Sequence, residues 1–507
     1  MIVGGRRRNV GTRRFRMTPD QWPAASPTAN AHLHMHSGSL RLRSRAKPTP
    51  AAEKASIVPS ALSATLAHSP AILRQMSRAR HSHSATVKSS LPRMQLIVEP
   101  ADSLVHEVVH ISLSGLPSSR NFRLELRLLH SNGIYRSYGV FRSDECGSID
   151  LAKNKPIRGT YSATRPMGLF ESVAPTDQVK PGWYCKCTPP EPFNYNLLVF
   201  DEAGKKILEK KIVKRWLHPE VQRIEIQEGK VRGTMFKPPG DGPFPTVIDI
   251  SGTGGGLHEQ KGAALASRGF CVLSLAFFQY KDLPVWMNNV DLQYFEEAIN
   301  YMNSLPFTGD KVAVQGVSFG GTLAILLATR FPRIAAVVSI NGSFNLDEAT
   351  FLKENGVDLP YGTLDFSHNE YLNGLYVHAK VVRYSDVPEK AQFPLERTQP
   401  NTAFRFVSSL DDLSTPTVFC TNFLTEKLKK LGRKVEVHYL PGGHLMDPPC
   451  FPAHPTVFSS FIASHQAYGG EDSIHGASQG VAWEKTISFL CKNLGRPTKI
   501  PSYRAKL

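Results

Sequence analysis

Long apolar runs are missing from this sequence. None approaches the roughly 18 consecutive apolar residues that a membrane-spanning helix needs, so we predict a soluble protein without an integral membrane segment. Cysteine is also scarce, because only seven are scattered over the chain, an odd number that does not fit a disulfide framework. Cys185 and Cys187 are close in sequence, but no second cysteine pair lies near them. We therefore expect neither a bound metal nor a cofactor.

Acidic residues are nearly missing from residues 1–93, where Asp20 and Glu53 stand against 13 Arg and 3 Lys. This stretch carries +14 of the formal net charge of +17, which leaves the rest of the chain close to neutral. The body of the protein lacks a polyanion-binding composition, so no nucleic-acid partner is expected. The same stretch has no sustained apolar periodicity, which is typical of a disordered extension or an organelle transit peptide. Translation from Met94 is a third alternative.

Residues 94–216 have the pattern of an all-β domain. Short apolar runs are separated by clusters of Gly, Pro, Ser and Asn, and several runs alternate apolar with polar residues, as at Leu96–Val98, Val108–Leu113, Phe122–Leu128 and Tyr195–Phe200. Regularly spaced short strands predict an antiparallel, immunoglobulin-like sandwich. No catalytic group of residues is evident within it, so we interpret this region as an accessory domain.

Residues 217–495 follow a different pattern. A hairpin around Gly229 comes first, and apolar strands then alternate with helices. The strands are expected at 246–250, 271–276, 312–314, 335–340, 403–407 and 435–439, and the helices near 257–268, 291–304, 320–331, 419–431 and 480–494. Continuous apolar strands between helices indicate a parallel sheet covered on both faces. The pattern predicts an α/β-hydrolase domain with a lid at 343–400, followed by a polar tail at 496–507.

A candidate nucleophile lies where the third of these α/β strands ends. The residues Gly316-Val317-Ser318-Phe319-Gly320 follow a β-branched run and open an apolar, helix-forming segment. In this strand–turn–helix context, Gly-x-Ser-x-Gly indicates a nucleophile elbow. A second match around Ser478 has no strand before it and no histidine after it. Ser318 is therefore the predicted nucleophile, and the structural alternative is a serine that only caps a helix.

The nucleophile requires a base and a carboxylate that orients the base. The histidines that follow Ser318 are His368, His378, His438, His444, His454, His465 and His475. His438 lies within a predicted strand, whereas His444 lies in a loop just beyond the last strand, at the sheet edge where reacting groups collect. His444 is the predicted base. Asp411 and Asp412 both follow another strand, and the residues alone do not separate them.

An oxyanion hole is predicted from a glycine-rich loop. Ser251-Gly252-Thr253-Gly254-Gly255-Gly256 follows an apolar strand, which is the position of the second amide donor in this fold. The first donor is the amide of Phe319, and Thr253 and Gly254 are candidates for the second. A phosphate-binding loop is the competing reading, but neither the Gly-Lys-Ser/Thr nor the full Gly-x-Gly-x-x-Gly pattern is present.

From about Met94 to Gly495 the sequence resembles the type I acyl-CoA thioesterase and bile acid-CoA:amino acid N-acyltransferase family. The segments that carry the resemblance are Leu96-Ile97-Val98-Glu99-Pro100, Arg165-Pro166-Met167-Gly168-Leu169-Phe170, Gly242-Pro243-Phe244-Pro245, Gly254-Gly255-Gly256-Leu257, Tyr294-Phe295-Glu296-Glu297-Ala298, Asn341-Gly342-Ser343, Gly443-His444, Pro448-Pro449-x-Phe451-Pro452, Gly469-Gly470-Glu471 and Ala482-Trp483.

The resemblance implies a β-sandwich followed by an α/β-hydrolase domain, and it implies that acyl-CoA is the substrate. It selects Asp412, because the family's acid is the second Asp of an Asp-Asp pair. Thioesterases of the family carry Ser at the elbow and the acyltransferases typically carry Cys, so Ser318 favours hydrolysis of fatty acyl-CoA to fatty acid and CoA. Amino-acid N-acyltransfer, non-catalytic acyl-CoA binding and general oxyester hydrolysis remain alternatives. Ser409-Leu410 departs from the family's Gly-Gln before the Asp pair, which leaves the acyl length open.

Two sequence features predict a cellular address. Ala505-Lys506-Leu507 resembles the small–basic–Leu peroxisomal signal, and the basic stretch at residues 1–93 argues for mitochondria instead. Cytosol is the remaining alternative. Import receptors are the expected protein partners, and nothing in the sequence sets an oligomeric state.

Overall fold

The computed structural model describes residues 93–459, 463–500 and 503. The predicted extension or transit peptide lies outside the described residues, as does the tripeptide at 505–507.

The first region is built from β-strands, as the alternating pattern predicted. Its elements are β1 (Gln95–Glu99), β2 (Asp102–Leu104), β3 (His110–Ser114), β4 (Asn121–His130), β5 (Gly133–Arg142), β6 (Ile149–Asp150), β7 (Arg158–Gly159), α1 (Gly168–Glu171), β8 (Ala174–Pro175), β9 (Phe193–Phe200) and β10 (Lys206–Arg215). One sheet has the order β1-β3-β6, and the other has β2-β10-β9-β4-β5-β7, with β8 paired to β5. Leu124, Leu126 and Leu128 of β4 are fully buried between the sheets.

The second region forms a large, mostly parallel sheet. Its elements are β11 (Gln222–Glu228), β12 (Val231–Lys237), β13 (Phe244–Ile250), α2 (Gln260–Ala266), β14 (Cys271–Ala276), α3 (Gln293–Ser304), β15 (Thr308–Val317), α4 (Phe319–Ala328) and β16 (Ile334–Ile340). After an inserted segment the sheet is completed by β23 (Ala403–Ser409), α5 (Thr417–Lys430) and β24 (Lys434–Leu440). The strand order within the described residues is β11-β12-β14-β13-β15-β16-β23-β24, and it confirms the predicted α/β-hydrolase sheet.

The strands of this sheet and the helix after Ser318 form the buried core of the second region. Every residue of β13, β14 and β23 is buried, because helices cover both faces of a parallel sheet. Helix α4, which begins directly after Ser318, is buried on all sides, as expected for a helix with an apolar surface all round. Among the described residues, no helix combines the length and apolar character that a membrane span requires.

The segment between β16 and β23, predicted to be irregular, contains only short elements. These are β17 (Leu346–Asp347), β18 (Lys353–Glu354), β19 (Val357–Asp358), β20 (Tyr361–Gly362), β21 (Tyr371–Leu372) and β22 (Leu375–Tyr376), together with single turns of 3-10 helix. Two later strands, β25 (Thr456–Ser459) and β26 (Ser464–Ala467), join β21 and β22 in one small sheet.

The last helix is longer than the sequence suggested. Helix α6 spans Asp472–Leu494, whereas the pattern placed its start near residue 480. Glycines at 476 and 480 weaken helix propensity, but packing overrides it. Gly476 lies against the backbone of α1, where a Cβ would be 2.0 Å from the carbonyl oxygen of Glu171. Helix α2 differs from its prediction in the opposite direction. The pattern placed its start near residue 257, but the helix begins at Gln260, after the glycine-rich loop.

Candidate active site

Ser318 stands in a strained turn between β15 and α4. Its backbone has φ 60° and ψ −129°, a conformation that non-glycine residues seldom adopt and that costs about 1–3 kcal/mol. Gly316 and Gly320 make the turn possible, because a Cβ on Gly316 would lie 2.3 Å from the carbonyl carbon of Gly320. The amide of Ser318 donates to the carbonyl of Ile340 at 2.8 Å, which fixes the turn to the neighbouring strand. This is the geometry of a nucleophile elbow.

His444 and Asp412 come together beside the ends of β23 and β24. Nδ1 of His444 lies 2.8 Å from Oδ2 of Asp412, and both side chains are almost fully buried. The other carboxylate oxygen accepts hydrogen bonds from the amides of Ser414 and Thr415 at 2.8 and 2.9 Å. The neighbouring Asp411 points elsewhere and accepts from the amide of Gly470 at 2.8 Å. The structure therefore pairs the second aspartate, and not the first, with the imidazole.

The far side of the imidazole is unengaged. Nε2 of His444 is buried and has no hydrogen-bond partner within the described residues. With Nδ1 donating to the carboxylate, Nε2 of a neutral imidazole is a proton acceptor. A histidine in this state can take a proton from an adjacent hydroxyl.

The loop that carries His444 is held by neighbours that the sequence did not single out for this purpose. The amide of His444 donates to the carbonyl of Tyr468 at 2.8 Å, and the two rings meet edge to face at 4.9 Å. Nδ2 of Asn341 donates to the carbonyl of His444 at 2.7 Å, while its Oδ1 accepts from the amide of Ser409 at 2.8 Å. Asn341 has φ 54° directly after β16. The sequence offered two signals for this role of Asn341, namely its residue type and its position directly after a buried strand.

A cavity of about 70 Å³ opens at the elbow. Most of its lining is polar: Thr253, Ser318, Phe319, Thr322, Ser343, Asp347, Ala349, Thr350, His378, Tyr384, Ser414, Thr415, Ser459, Gln466 and Tyr468. Residues of the inserted segment, where a lid was predicted, and of β25–β26 thus line this cavity together with Ser318. His378 was not favoured from the sequence, yet it lines this cavity and its Nδ1 lies 3.0 Å from the carbonyl of Ser414.

The glycine-rich loop lies against the nucleophile. A Cβ on Gly252 would be 3.3 Å from Cβ of Ser318, so the loop backbone passes close to the serine and leaves little room for a side chain. Thr253 and Phe319 line the cavity, and Gly254 is exposed at the tip of the loop. Phe319 is the first residue of α4, where amides have no acceptor within the helix. Amides placed in this way can stabilise an oxyanion that forms on a substrate carbonyl.

The competing residues of the sequence have other surroundings. Ser478 is buried in the middle of α6, not at a turn. His438 lies on β24, where its Nδ1 is 2.9 Å from a guanidinium nitrogen of Arg405. His454 is buried among aromatic rings and accepts from the amide of Cys185. The structure thus brings only some of the predicted candidates to the elbow.

Comparison with known proteins identifies relatives along most of the chain. Residues 106–228 match the family described as acyl-CoA thioester hydrolase/BAAT N-terminal region, and residues 290–496 match the family described as BAAT/acyl-CoA thioester hydrolase C terminal. Acyl-coenzyme A thioesterase 1 of Rattus norvegicus is 32% identical over 410 residues, which cover 79% of this chain and 97% of the rat protein.

Two mouse relatives carry compartment names. Acyl-coenzyme A thioesterase 2, mitochondrial, is 31% identical and is covered over 89% of its length. Peroxisomal succinyl-coenzyme A thioesterase is 31% identical and is covered over 97%. Each alignment includes 79% of this chain. The protein therefore belongs to the acyl-CoA thioester hydrolase/BAAT family, as the sequence resemblance predicted.

Proposed function

We propose that this protein hydrolyses acyl-CoA thioesters to the free acid and CoA through an acyl-enzyme on Ser318. The observation that carries the proposal is the pairing of His444 with Asp412 at 2.8 Å, in a chain whose strained elbow presents a serine. Family membership and the names of the relatives support acyl-CoA as the substrate.

In the first half of the reaction, Oγ of Ser318 attacks the thioester carbonyl while Nε2 of His444 accepts its proton. Asp412 keeps Nδ1 protonated and stabilises the imidazolium. The developing oxyanion is stabilised by the amide of Phe319 and by an amide of the glycine loop, at Thr253 or Gly254. Each such donor typically contributes about 3–4 kcal/mol to lowering the barrier. The C–S bond then breaks, and the imidazolium returns its proton to the departing CoA thiolate.

In the second half, water takes the position that CoA has left. His444 removes a proton from the water, the hydroxide attacks the acyl ester, and the imidazolium reprotonates Oγ of Ser318 as the acid departs. A serine oxyester is usually released by water, whereas a cysteine thioester is more readily intercepted by an amine. The identity of residue 318 therefore favours the hydrolase over the N-acyltransferase.

The relatives make two compartments plausible, because one relative is named mitochondrial and another peroxisomal. We propose peroxisomal import through Ala505-Lys506-Leu507. Deletion of residues 505–507 from the otherwise complete chain should abolish peroxisomal localisation. Deletion of residues 1–93 should abolish any mitochondrial localisation, and retention in peroxisomes without residues 505–507 would contradict the proposal.

The activity is tested by thiol release from a panel of acyl-CoAs. Wild-type protein should release CoA, and Ser318→Ala should release it at the uncatalysed rate. Ser478→Ala is the matched control, because it removes the serine of the other Gly-x-Ser-x-Gly match. Equal rates for wild type and Ser318→Ala would contradict the proposal. Added glycine or taurine should give no conjugate, and short oxyesters should be poorer substrates than CoA thioesters.

A further inference from the structure

A buried lysine lies in the helix that follows the glycine-rich loop, in a place that the proposed reaction does not use. Lys261 is the second residue of α2 and is only 7% exposed. Its ammonium nitrogen is 3.6 Å from Oδ1 of Asp447, which is itself buried. A buried ammonium is unfavourable unless carboxylates face it, so Lys261 depends on nearby carboxylates such as Asp447 for its charge.

Two carboxylates act on Lys261, one near the end of the strand before the glycine-rich loop and one in the loop that carries His444. Asp249 is the second-last residue of β13, directly before the glycine-rich loop, and Nε2 of Gln315 on β15 donates to it at 3.0 Å. Asp447 follows His444 by three positions in the loop after β24. Burial opposes the charge on Lys261, but Asp249 and Asp447 overcome it and raise the pKa of the lysine. The lysine thus links the helix that follows the glycine-rich loop to the loop that carries His444.

The N-terminal β-rich region completes this arrangement. The hydroxyl of Tyr184 donates to Oδ2 of Asp447 at 3.0 Å, and Nε2 of Gln260 donates to the same hydroxyl at 3.1 Å. Next to them, Nε2 of His258 is 3.1 Å from the carbonyl of Gly255 in the glycine-rich loop. Burial, with help from Lys261, lowers the pKa of His258 to about 4, so this imidazole is neutral near pH 7 and donates to that carbonyl.

We infer that Lys261 and Tyr184 are positioning residues, which hold the glycine-rich loop and the loop that carries His444 in their reactive arrangement. The inference rests on the proposed function, because it assigns these loops their roles in the reaction. It also gives the N-terminal region a part in catalysis: its Tyr184 supports the loop of the catalytic base. Neither residue lines the cavity at Ser318, so both act through other residues.

The experiment compares purified full-length variants. Tyr184→Phe removes only the hydroxyl that contacts Asp447. Its matched control is Tyr195→Phe, which removes the hydroxyl that donates to the carbonyl of Cys450 at 3.2 Å in the same region. Lys261→Met removes the charge at similar volume, and Lys261→Arg restores it. Two readouts are taken for each: kcat and KM for thiol release, and the rate at which a fluorophosphonate labels Ser318.

We expect Tyr184→Phe to lower kcat by about tenfold and Lys261→Met by about 100-fold, with KM within about twofold, since small misplacements of reacting groups cost rates of this size. Labelling of Ser318 should slow in parallel, and Lys261→Arg should recover most of the loss. Tyr195→Phe should retain wild-type kcat. If Lys261→Met does not fold, Tyr184→Phe against Tyr195→Phe decides the question.

Wild-type kcat in Tyr184→Phe, or equal losses in the two tyrosine variants, would overturn the inference. The labelling rate separates this failure from a failure of the proposed function, because labelling requires only a nucleophilic Ser318 and no acyl-CoA. Wild-type protein that labels normally but releases no CoA would contradict the substrate assignment. Slower labelling in Tyr184→Phe would still support the positioning role.

Discussion

His444 places one ring nitrogen 2.8 Å from Asp412 and leaves the opposite nitrogen without a hydrogen-bond partner among the described residues. The carboxylate also accepts hydrogen bonds from two backbone amides, which fix its orientation toward the imidazole. A base prepared in this way has one tautomer and one direction in which it can accept a proton.

Replacing Asp412 by Asn should remove the group that fixes the tautomer. We expect kcat for acyl-CoA hydrolysis to fall by about 10⁴-fold, because an amide at this position favours the wrong tautomer of the base. Asp411→Asn is the matched control, since the carboxylate of Asp411 accepts from the amide of Gly470 and is not the one paired with the imidazole. It should retain kcat within about threefold. Steady-state thiol release measures both, and a larger loss in Asp411→Asn would reverse the assignment of the acid.

Adding a methyl group at Gly252 should disturb the nucleophile directly. The new Cβ would lie 3.3 Å from Cβ and 3.6 Å from Oγ of Ser318, so the serine or the loop has to move. The required shift is only a few tenths of an ångström, and a displacement near 1 Å costs about 100-fold in rate, so we expect Gly252→Ala to lower kcat by about 10-fold. Thermal unfolding should show that the variant is folded. Unchanged kcat would mean that the loop does not contact the reacting serine.

Two glycines of α6 should respond in opposite directions to the same substitution. Gly480 has open space around its Cβ position, so Gly480→Ala should stabilise the protein by up to about 1 kcal/mol through helix propensity. At Gly476 a Cβ would clash with the carbonyl oxygen of Glu171 at 2.0 Å, so Gly476→Ala should destabilise by about 1–3 kcal/mol. Urea unfolding of the two variants tests the packing of α6 on α1. Equal effects would contradict it.

Stability should fall as the pH drops from 7.5 to 5, partly through His454. Its Nε2 accepts from the amide of Cys185 and its Nδ1 donates to the carbonyl of Pro452, so the ring is held neutral. Burial lowers its pKa to about 4. The unfolded state therefore binds the proton first, and stability present above pH 6.5 is lost as the pH falls toward 4. This single group should account for about 2 kcal/mol between pH 7.5 and 5.

The check on His454 is the pH dependence of urea unfolding in wild type and His454→Gln. The variant is expected to be less stable at pH 7.5 and to lose about 2 kcal/mol less on acidification. Parallel pH profiles for the two proteins would show that His454 is already protonated or exposed in the folded state.

The sequence predicts those parts of the molecule that depend on residues close to one another along the chain. The apolar strands, the elbow at Ser318 and the loop position of His444 are all local patterns, and each lies where the pattern placed it. Asp412 was separated from Asp411 only by the family resemblance, because two adjacent carboxylates give the same local signal. In the structure their carboxylates have different partners, the imidazole of His444 for Asp412 and the amide of Gly470 for Asp411.

What the sequence did not predict depends on distant contacts. Lys261 and Asp447 meet only when α2 and the loop after β24 pack together, and nothing near either residue marks the pair. Tyr184 reaches the same carboxylate from a region interpreted as an accessory domain. The early start of α6 has the same origin, because contact with α1 stabilises a glycine-containing turn that would be weak alone.

The most direct test of the proposed reaction is detection of the acyl-enzyme. Wild-type protein is mixed with an acyl-CoA that the thiol-release panel shows to be hydrolysed, quenched in acid within the first turnovers, and digested for mass spectrometry. We predict that the peptide containing Ser318 carries the mass of the acyl group, and that Ser318→Ala shows neither the adduct nor turnover. Turnover with no acyl group on Ser318, or turnover that persists in Ser318→Ala, would contradict the proposed reaction.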